Sequence, residues 1–309
     1  MRHSSTLLNI LTAGVSVITI IFALIFPETA ELAAPWIVVA SVFIVGIPHG
    51  AIDHIMASEL YSLNQTWKDH LLFYSSYLLI MLLVGLLWIL FPSAGMILFL
   101  AISIYHFGQA DMEEFLQSAQ YAWIDYLNRG VMIIGLIIFS DPSVTYPIIA
   151  DAIQVDSELF SVWMPDATLS VFTLIIVYAI ISVIGIYTSK IDPVIYYIID
   201  SILLITLLLI TGPLIGFALY FALWHSAGHI TEMKEYFLSK GKTLTTIGFY
   251  IKALPFTLIS ILGLALLVFI NIQFKLESQF LTLMFILISV LTLPHMFIVD
   301  KMYSESKKG

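Results

Sequence analysis

Histidine is the residue type through which this sequence could do chemistry. Six of the eight histidines stand in compact motifs: Pro48-His49-Gly50-Ala51-Ile52-Asp53-His54, Tyr105-His106-Phe107-Gly108, Trp224-His225-Ser226-Ala227-Gly228-His229 and Pro294-His295. His225 and His229 are spaced i and i+4, so on a helix they share one face and can grip one ion. Neutral imidazole suits iron, zinc, copper or nickel. No cysteine is present, which excludes disulfides, thiolate metal sites, iron–sulfur clusters and cysteine nucleophiles. Any metal must rest on nitrogen and oxygen ligands. A zinc ion closed by four histidines would be structural. Iron(II) accepts up to six ligands, so four histidines leave positions open for dioxygen. His3, in the N-terminal tail, and His70, at the start of an apolar stretch, belong to no motif.

The elements that must position these residues are membrane helices. Of the 309 residues, 60% are hydrophobic and 11% are charged, against about 25% charged in soluble domains. Mean hydropathy is +1.01. A net charge of −9 and the absence of a basic face exclude a nucleic-acid partner. A crossing helix needs about 20 apolar residues. The apolar stretches read as ten spans: Leu7–Phe26, Ala33–Ile52, Leu71–Phe91, Gly95–Ala110, Trp123–Ser140, Ala167–Thr188, Pro193–Thr211, Gly212–Ile230, Phe249–Asn271 and Gln279–Val299. Three contain marks against them: the fourth is short, the fifth holds Asp125 and Arg129, and the seventh holds Asp200. Leu7–Phe26 is too long for the core of a signal peptide and reads as the first span. No linker divides the chain, so residues 1–309 read as one all-α integral-membrane helical bundle.

With both termini cytoplasmic, eleven of the twelve Lys and Arg residues fall inside and only Lys275 falls outside. This is a strong positive-inside asymmetry, and it fits a multi-pass protein of a bacterial inner membrane. The acidic segment Asp141–Asp166 lies outside as a partly helical excursion. In this topology His49, His54, His106, His225, His229 and His295 all fall at the C-terminal ends of even-numbered spans, near one depth. Polar groups in a bilayer are costly unless they face the bundle interior and find partners. Odd-numbered spans, His70 aside, carry no histidine. Acidic residues recur after the motifs: Asp53, Asp111, Glu232 and Asp300. A metal-bound imidazole usually donates its other N–H to a carboxylate or carbonyl, so some of these acids are expected to orient the histidines. Gly50, Gly108 and Gly228 would let helices approach closely.

These motifs resemble the Brp/Blh family of membrane β-carotene 15,15′-dioxygenases. Chain length, span number and motif order fit along almost the whole chain. Pro-His-Gly-x-x-Asp-His with Trp-His-Ser-x-x-His is the specific combination. The resemblance implies nonhaem Fe(II) held by His49, His106, His225 and His229, and cleavage of the central double bond of β-carotene by O2 into two all-trans-retinal molecules. It leaves His54 and His295 as extra ligands or as groups that support the ligands, beside Asp53, Asp111 and Asp300. A rhodopsin that consumes the retinal is the downstream partner by the same analogy. The substrate is an apolar polyene dissolved in the bilayer, which calls for an apolar tunnel open to lipid. Tyr105, Phe107, Tyr220, Phe221, Trp224 and Phe297 surround the motifs and could line it.

Three rival classes are weighed against this reading. A diiron desaturase or hydroxylase needs about eight clustered histidines with adjacent His-His pairs, and none occurs here. A haem-b carrier expects paired histidines well inside facing spans. A metal-ion or proton transporter expects mid-span carboxylates and broken helices; Asp200 is the clear mid-span candidate.

Overall fold

The computed structural model describes residues 6–61, 63, 66–118, 120–274 and 279–306. His3, Arg2, Lys275, Lys307 and Lys308 lie outside the described residues. The described regular structure is helical, apart from an isolated bridge between Leu116 and Ile191. In chain order the helices are α1 (Thr6–Ile25), α2 (Pro27–Ser41), a π-helical segment (Val42–Gly46), α3 (Ile47–Ala51), α4 (Asp53–Leu60), α5 (Trp67–Leu90), α6 (Pro92–Met112) and α7 (Ala122–Phe139). They continue with α8 (Pro142–Ala152), α9 (Ser157–Trp163), α10 (Ala167–Thr188), α11 (Val194–Ile210), α12 (Gly212–Leu219), a second π segment (Tyr220–Ser226), α13 (Ala227–Ser239), α14 (Thr246–Phe274) and α15 (Phe280–Ser306).

Eight helical stretches among the described residues are long and apolar enough to cross a membrane, against the ten read from the sequence. The expected seventh span is α11, apolar but only 17 residues long. The expected eighth is the run α12, π segment and α13, whose apolar character is diluted by Trp224, His225, Ser226, Gly228 and His229. A second difference concerns helix ends. The apolar stretches stop near the histidines, but the helices do not: α6 continues to Met112, α13 to Ser239 and α15 to Ser306. Hydropathy marks where apolar sequence ends; helix hydrogen bonding carries on through the amphipathic sequence beyond it. The histidines therefore stand within helical runs rather than at their termini.

The surface is that of a membrane protein. Apolar side chains such as Leu72, Leu82, Ile176, Leu262 and Phe269 are exposed, while Arg129, Asp111, His106, His225 and His229 are buried. Polar groups inside and aliphatic groups outside is the distribution a lipid solvent selects.

Two compact units interleave along the chain. The first comprises residues 1–42, 103–150 and 155–231. In it α7 packs on α10, α11 and α12, α1 packs on α11, and α2 packs on α12. Ala23, Ala30, Ala34 and Ile215 form one of its apolar clusters. The second comprises residues 43–102, 151–154 and 232–309. In it α14 packs on α3, and α15 packs on α4, α5 and α14. Its apolar cluster centres on Val84 and Trp88, and the Trp88 indole N–H donates to Ser289 Oγ at 2.8 Å, tying α5 to α15.

Candidate metal centre

In the first unit the backbones of α6 and α7 touch. A Cβ on Gly108 would stand 1.8 Å from the Tyr126 carbonyl oxygen, and one on Gly130 would stand 1.8 Å from the Ile104 carbonyl oxygen. Only glycine fits this crossing. It holds His106, two residues before Gly108, in the interior. His225 lies in the second π segment and His229 one helical turn later in α13. The His106 and His225 rings meet edge-on at 4.8 Å, and the His225 and His229 rings are parallel at 6.5 Å. All three are buried. Phe107 packs at 4.7 Å and Phe221 at 5.6 Å from the His225 ring, so two phenyl groups border the imidazole.

Beside these histidines lies a charged network. Arg129 of α7 is completely buried. Its Nε donates to Asp111 Oδ2 at 3.0 Å and its Nη2 to Asp200 Oδ2 at 2.5 Å. Its Nη1 donates to Tyr178 Oη and to Ser201 Oγ, each at 3.1 Å. The remaining carboxylate oxygens receive donors from the second π segment: Tyr220 O–H to Asp111 Oδ1 at 3.2 Å and Trp224 indole N–H to Asp200 Oδ1 at 2.7 Å. Arg129 and Asp200, two of the charges that weakened the span assignment, thus pair with each other, as charges in a bilayer must; Asp125, the third, stands outside this network and accepts from Ser189 Oγ. Asp111, expected to orient a histidine, instead holds Arg129 and Tyr220. Asp200, the carboxylate a transporter reading needs, is held by Arg129 and Trp224.

The second unit carries its own pair. His49 of α3 and His295 of α15 are buried and meet edge-on at 4.9 Å. His49 Nδ1–H donates to the Gly46 carbonyl at the end of the first π segment. His295 Nδ1–H donates to the Asp53 carboxylate at 2.8 and 3.0 Å, and Tyr77 O–H donates to the same carboxylate at 2.9 Å. A neutral ring bonded in this way carries its lone pair on Nε2, the form that binds metals. The His295 ring lies in van der Waals contact range of Gly50, where a Cβ would stand 3.7 Å from it. His54 takes no part in this pair. It is half-buried, bonds the Ala51 carbonyl at 3.2 Å and packs at 4.5 Å from Phe256.

Among the described residues no group of three or more His, Asp or Glu side chains is drawn together as a metal site. What the units display is imidazoles in close pairs, with the rings of His49 and His295 oriented by hydrogen bonds.

A family model for β-carotene 15,15′-dioxygenase matches residues 40–303, a stretch that includes all six motif histidines. The chain belongs to the β-carotene 15,15′-dioxygenase family. A family relative from an uncultured marine bacterium 66A03, itself described as β-carotene 15,15′-dioxygenase, is 26% identical over 271 residues, which is 86% of this chain and 92% of that protein. No solved structure matches the chain.

The other residues expected at a site of this dioxygenase family divide. Phe107, Tyr220 and Phe221 are buried and contact one another or His225. Tyr105 and Trp224 are half-buried, Tyr105 packing on Tyr126 at 5.9 Å. Phe297 is 50% exposed, and Asp300 is exposed, five residues beyond His295. Glu232 accepts from Tyr303 O–H at 2.6 Å. Sequence reading missed Arg129 and Tyr77. The available signal for Arg129 was its charge: a cation and the Asp200 carboxylate, both in apolar spans, had to find partners. Tyr77 left no signal, being one of 15 tyrosines.

Proposed function

We propose that this chain cleaves the central double bond of β-carotene with O2 to give two retinal molecules, using Fe(II) held by His49, His106, His225 and His229. The observation that carries the reading is the pairing of buried imidazoles on separate helices: His225 lies against His106, one helical turn before His229. His49 joins the set through its motif. The donor set fits iron: neutral nitrogen ligands on rigid helices, with no thiolate and no directly bound charge. Fe(II) bound there supplies the activation of O2 that a closed-shell polyene requires. Both oxygen atoms end in the two aldehydes, so no external reductant is consumed.

The remaining work belongs to the protein. The Gly46 carbonyl and the Asp53 carboxylate fix the rings of His49 and His295, which sets their tautomers and strengthens them as bases. Phe107 and Phe221 border His225 and keep water from it. They are also the residues we assign to the polyene, together with the ring faces of Tyr220 and Trp224, whose polar atoms are already engaged by carboxylates. Phe297, half-exposed, is assigned to the lipid side of the path. We place the protein in the cytoplasmic membrane of a bacterium, supplying retinal to a rhodopsin.

Purified protein, Fe(II) and β-carotene in lipid or detergent provide the test. Retinal as the sole product is the expected outcome. Unequal apocarotenal fragments would move the cleavage position, and undiminished β-carotene in the presence of folded, iron-supplied protein would overturn the reading.

A further inference from the structure

We propose that Asp111 and Asp200 are positioning residues for His225, acting through Tyr220 and Trp224 to hold the second π segment in place. The inference rests on the reading of His225 and His229 as metal ligands.

The segment Tyr220–Ser226 departs from α-helical bonding; the N–H of Ala227 reaches back five residues to the Ala222 carbonyl. Such turns are rare and concentrate at functional sites. They persist where surrounding structure over-determines them. Here the surrounding structure is on view. Tyr220 opens the segment and Trp224 immediately precedes His225. Each is anchored by one oxygen of a carboxylate whose other oxygen is held by Arg129. The planar guanidinium fixes the spread of its two partners, so the distance between the anchor points is set by α7 rather than by the segment itself.

The network also couples the two helical runs that carry histidines. Asp111 lies on α6 five residues after His106, and Tyr220 lies five residues before His225. The Asp111–Tyr220 hydrogen bond therefore runs alongside the His106–His225 ring contact and ties the same two elements. Phe107 fills the space between, touching Tyr220 at 5.4 Å and His225 at 4.7 Å. Stability alone is a poor reason for such a network. Apolar replacements of buried ion pairs are often neutral or stabilising, and register is the better-attested use of buried charge.

The test uses full-length protein in detergent with the variants Tyr220→Phe and Trp224→Phe, each of which deletes a donor and keeps an aromatic ring. Fe(II) affinity is measured by chelator competition, the visible spectrum of the Co(II)-loaded protein reports ligand geometry, and thermal midpoint and helicity report folding. Each variant is expected to bind Fe(II) about tenfold more weakly, the lower end of what loss of a supporting partner costs a metal site. The Co(II) bands shift while helicity stays at the wild-type level. Asp200→Asn, whose amide oxygen still accepts from Trp224, retains more affinity than Asp200→Ala. Wild-type affinity and an unchanged Co(II) spectrum in both aromatic variants, whatever their thermal midpoints, would overturn the inference while leaving the ligand reading intact. Wild-type protein that binds neither ion overturns the ligand reading and the inference with it.

Discussion

In the second unit a carboxylate lies directly on an imidazole, Asp53 against His295, with Tyr77 steadying the far oxygen. In the first, the carboxylates of Asp111 and Asp200 engage Tyr220 and Trp224, and His225 is held at one remove. Both regions pair a π segment with a histidine: Val42–Gly46 ends three residues before His49, and Tyr220–Ser226 contains His225. The difference lies in what the charge does. Direct contact sets the tautomer and basicity of a ring, an electronic effect. Contact through an aromatic group sets only where the ring stands. Removing charge from the second unit should alter chemistry in a folded protein, and removing it from the first should alter geometry or folding.

The largest effect expected of that comparison is on Arg129. Arg129→Ala leaves the buried carboxylate of Asp111 and the half-buried one of Asp200 without their cation, a change that costs about 3–5 kcal/mol. Loss of folded, monodisperse protein on extraction is the outcome, read by chromatography and thermal midpoint. Normal yield and midpoint would show that the network is not what holds the first unit. Gly108→Leu is next: the α6–α7 crossing has no room for a side chain, so α6 must move and His106 with it. A loss of Fe(II) binding larger than that of Tyr220→Phe is the prediction, checked by metal content at equal protein.

Asp53→Asn sharpens the other half of the comparison. The amide still accepts from His295 but brings no charge, so turnover should fall by about 10- to 100-fold with little change in thermal midpoint. An equal fall in stability would erase the proposed distinction between the two regions. Tyr77→Phe removes one hydrogen bond to the Asp53 carboxylate, a contact worth about 1.5–3 kcal/mol when one partner is charged. It should reproduce a fraction of the Asp53→Asn effect on turnover. Asp300→Asn, at an exposed position, is expected to leave turnover unchanged; a loss of turnover would return Asp300 to the site.

The helical class, most span positions and the motif histidines could be read from the sequence because each has a one-dimensional signature: hydropathy, spacing and the specific Pro-His-Gly and Trp-His-Ser combinations. Three things could not. The two π segments leave no mark in periodicity, since they shift hydrogen bonds by one residue without changing composition. The partners of Asp111 and Asp200 depend on which faces of α6, α7 and α11 meet, a tertiary fact; proximity in sequence pointed Asp111 at His106, while packing gave it Arg129 and Tyr220. The third is whether the seventh and eighth apolar stretches cross: α11 is apolar but 17 residues long, and Gly212–Ile230 buries polar side chains among its apolar ones. His54 shows the same limit. It shares a motif with His49, yet a break at Ile52 between α3 and α4 turns it toward Phe256.

The claim on which everything rests is that histidines of this chain hold a catalytic iron. Its most direct test measures iron content and β-carotene turnover together in wild-type protein and in single alanine variants at His49, His106, His225 and His229. Wild-type protein retaining iron, each variant losing iron and turnover in parallel, and the His3→Ala control keeping both is the predicted result. Undiminished cleavage of β-carotene by wild-type protein stripped of all iron would contradict it.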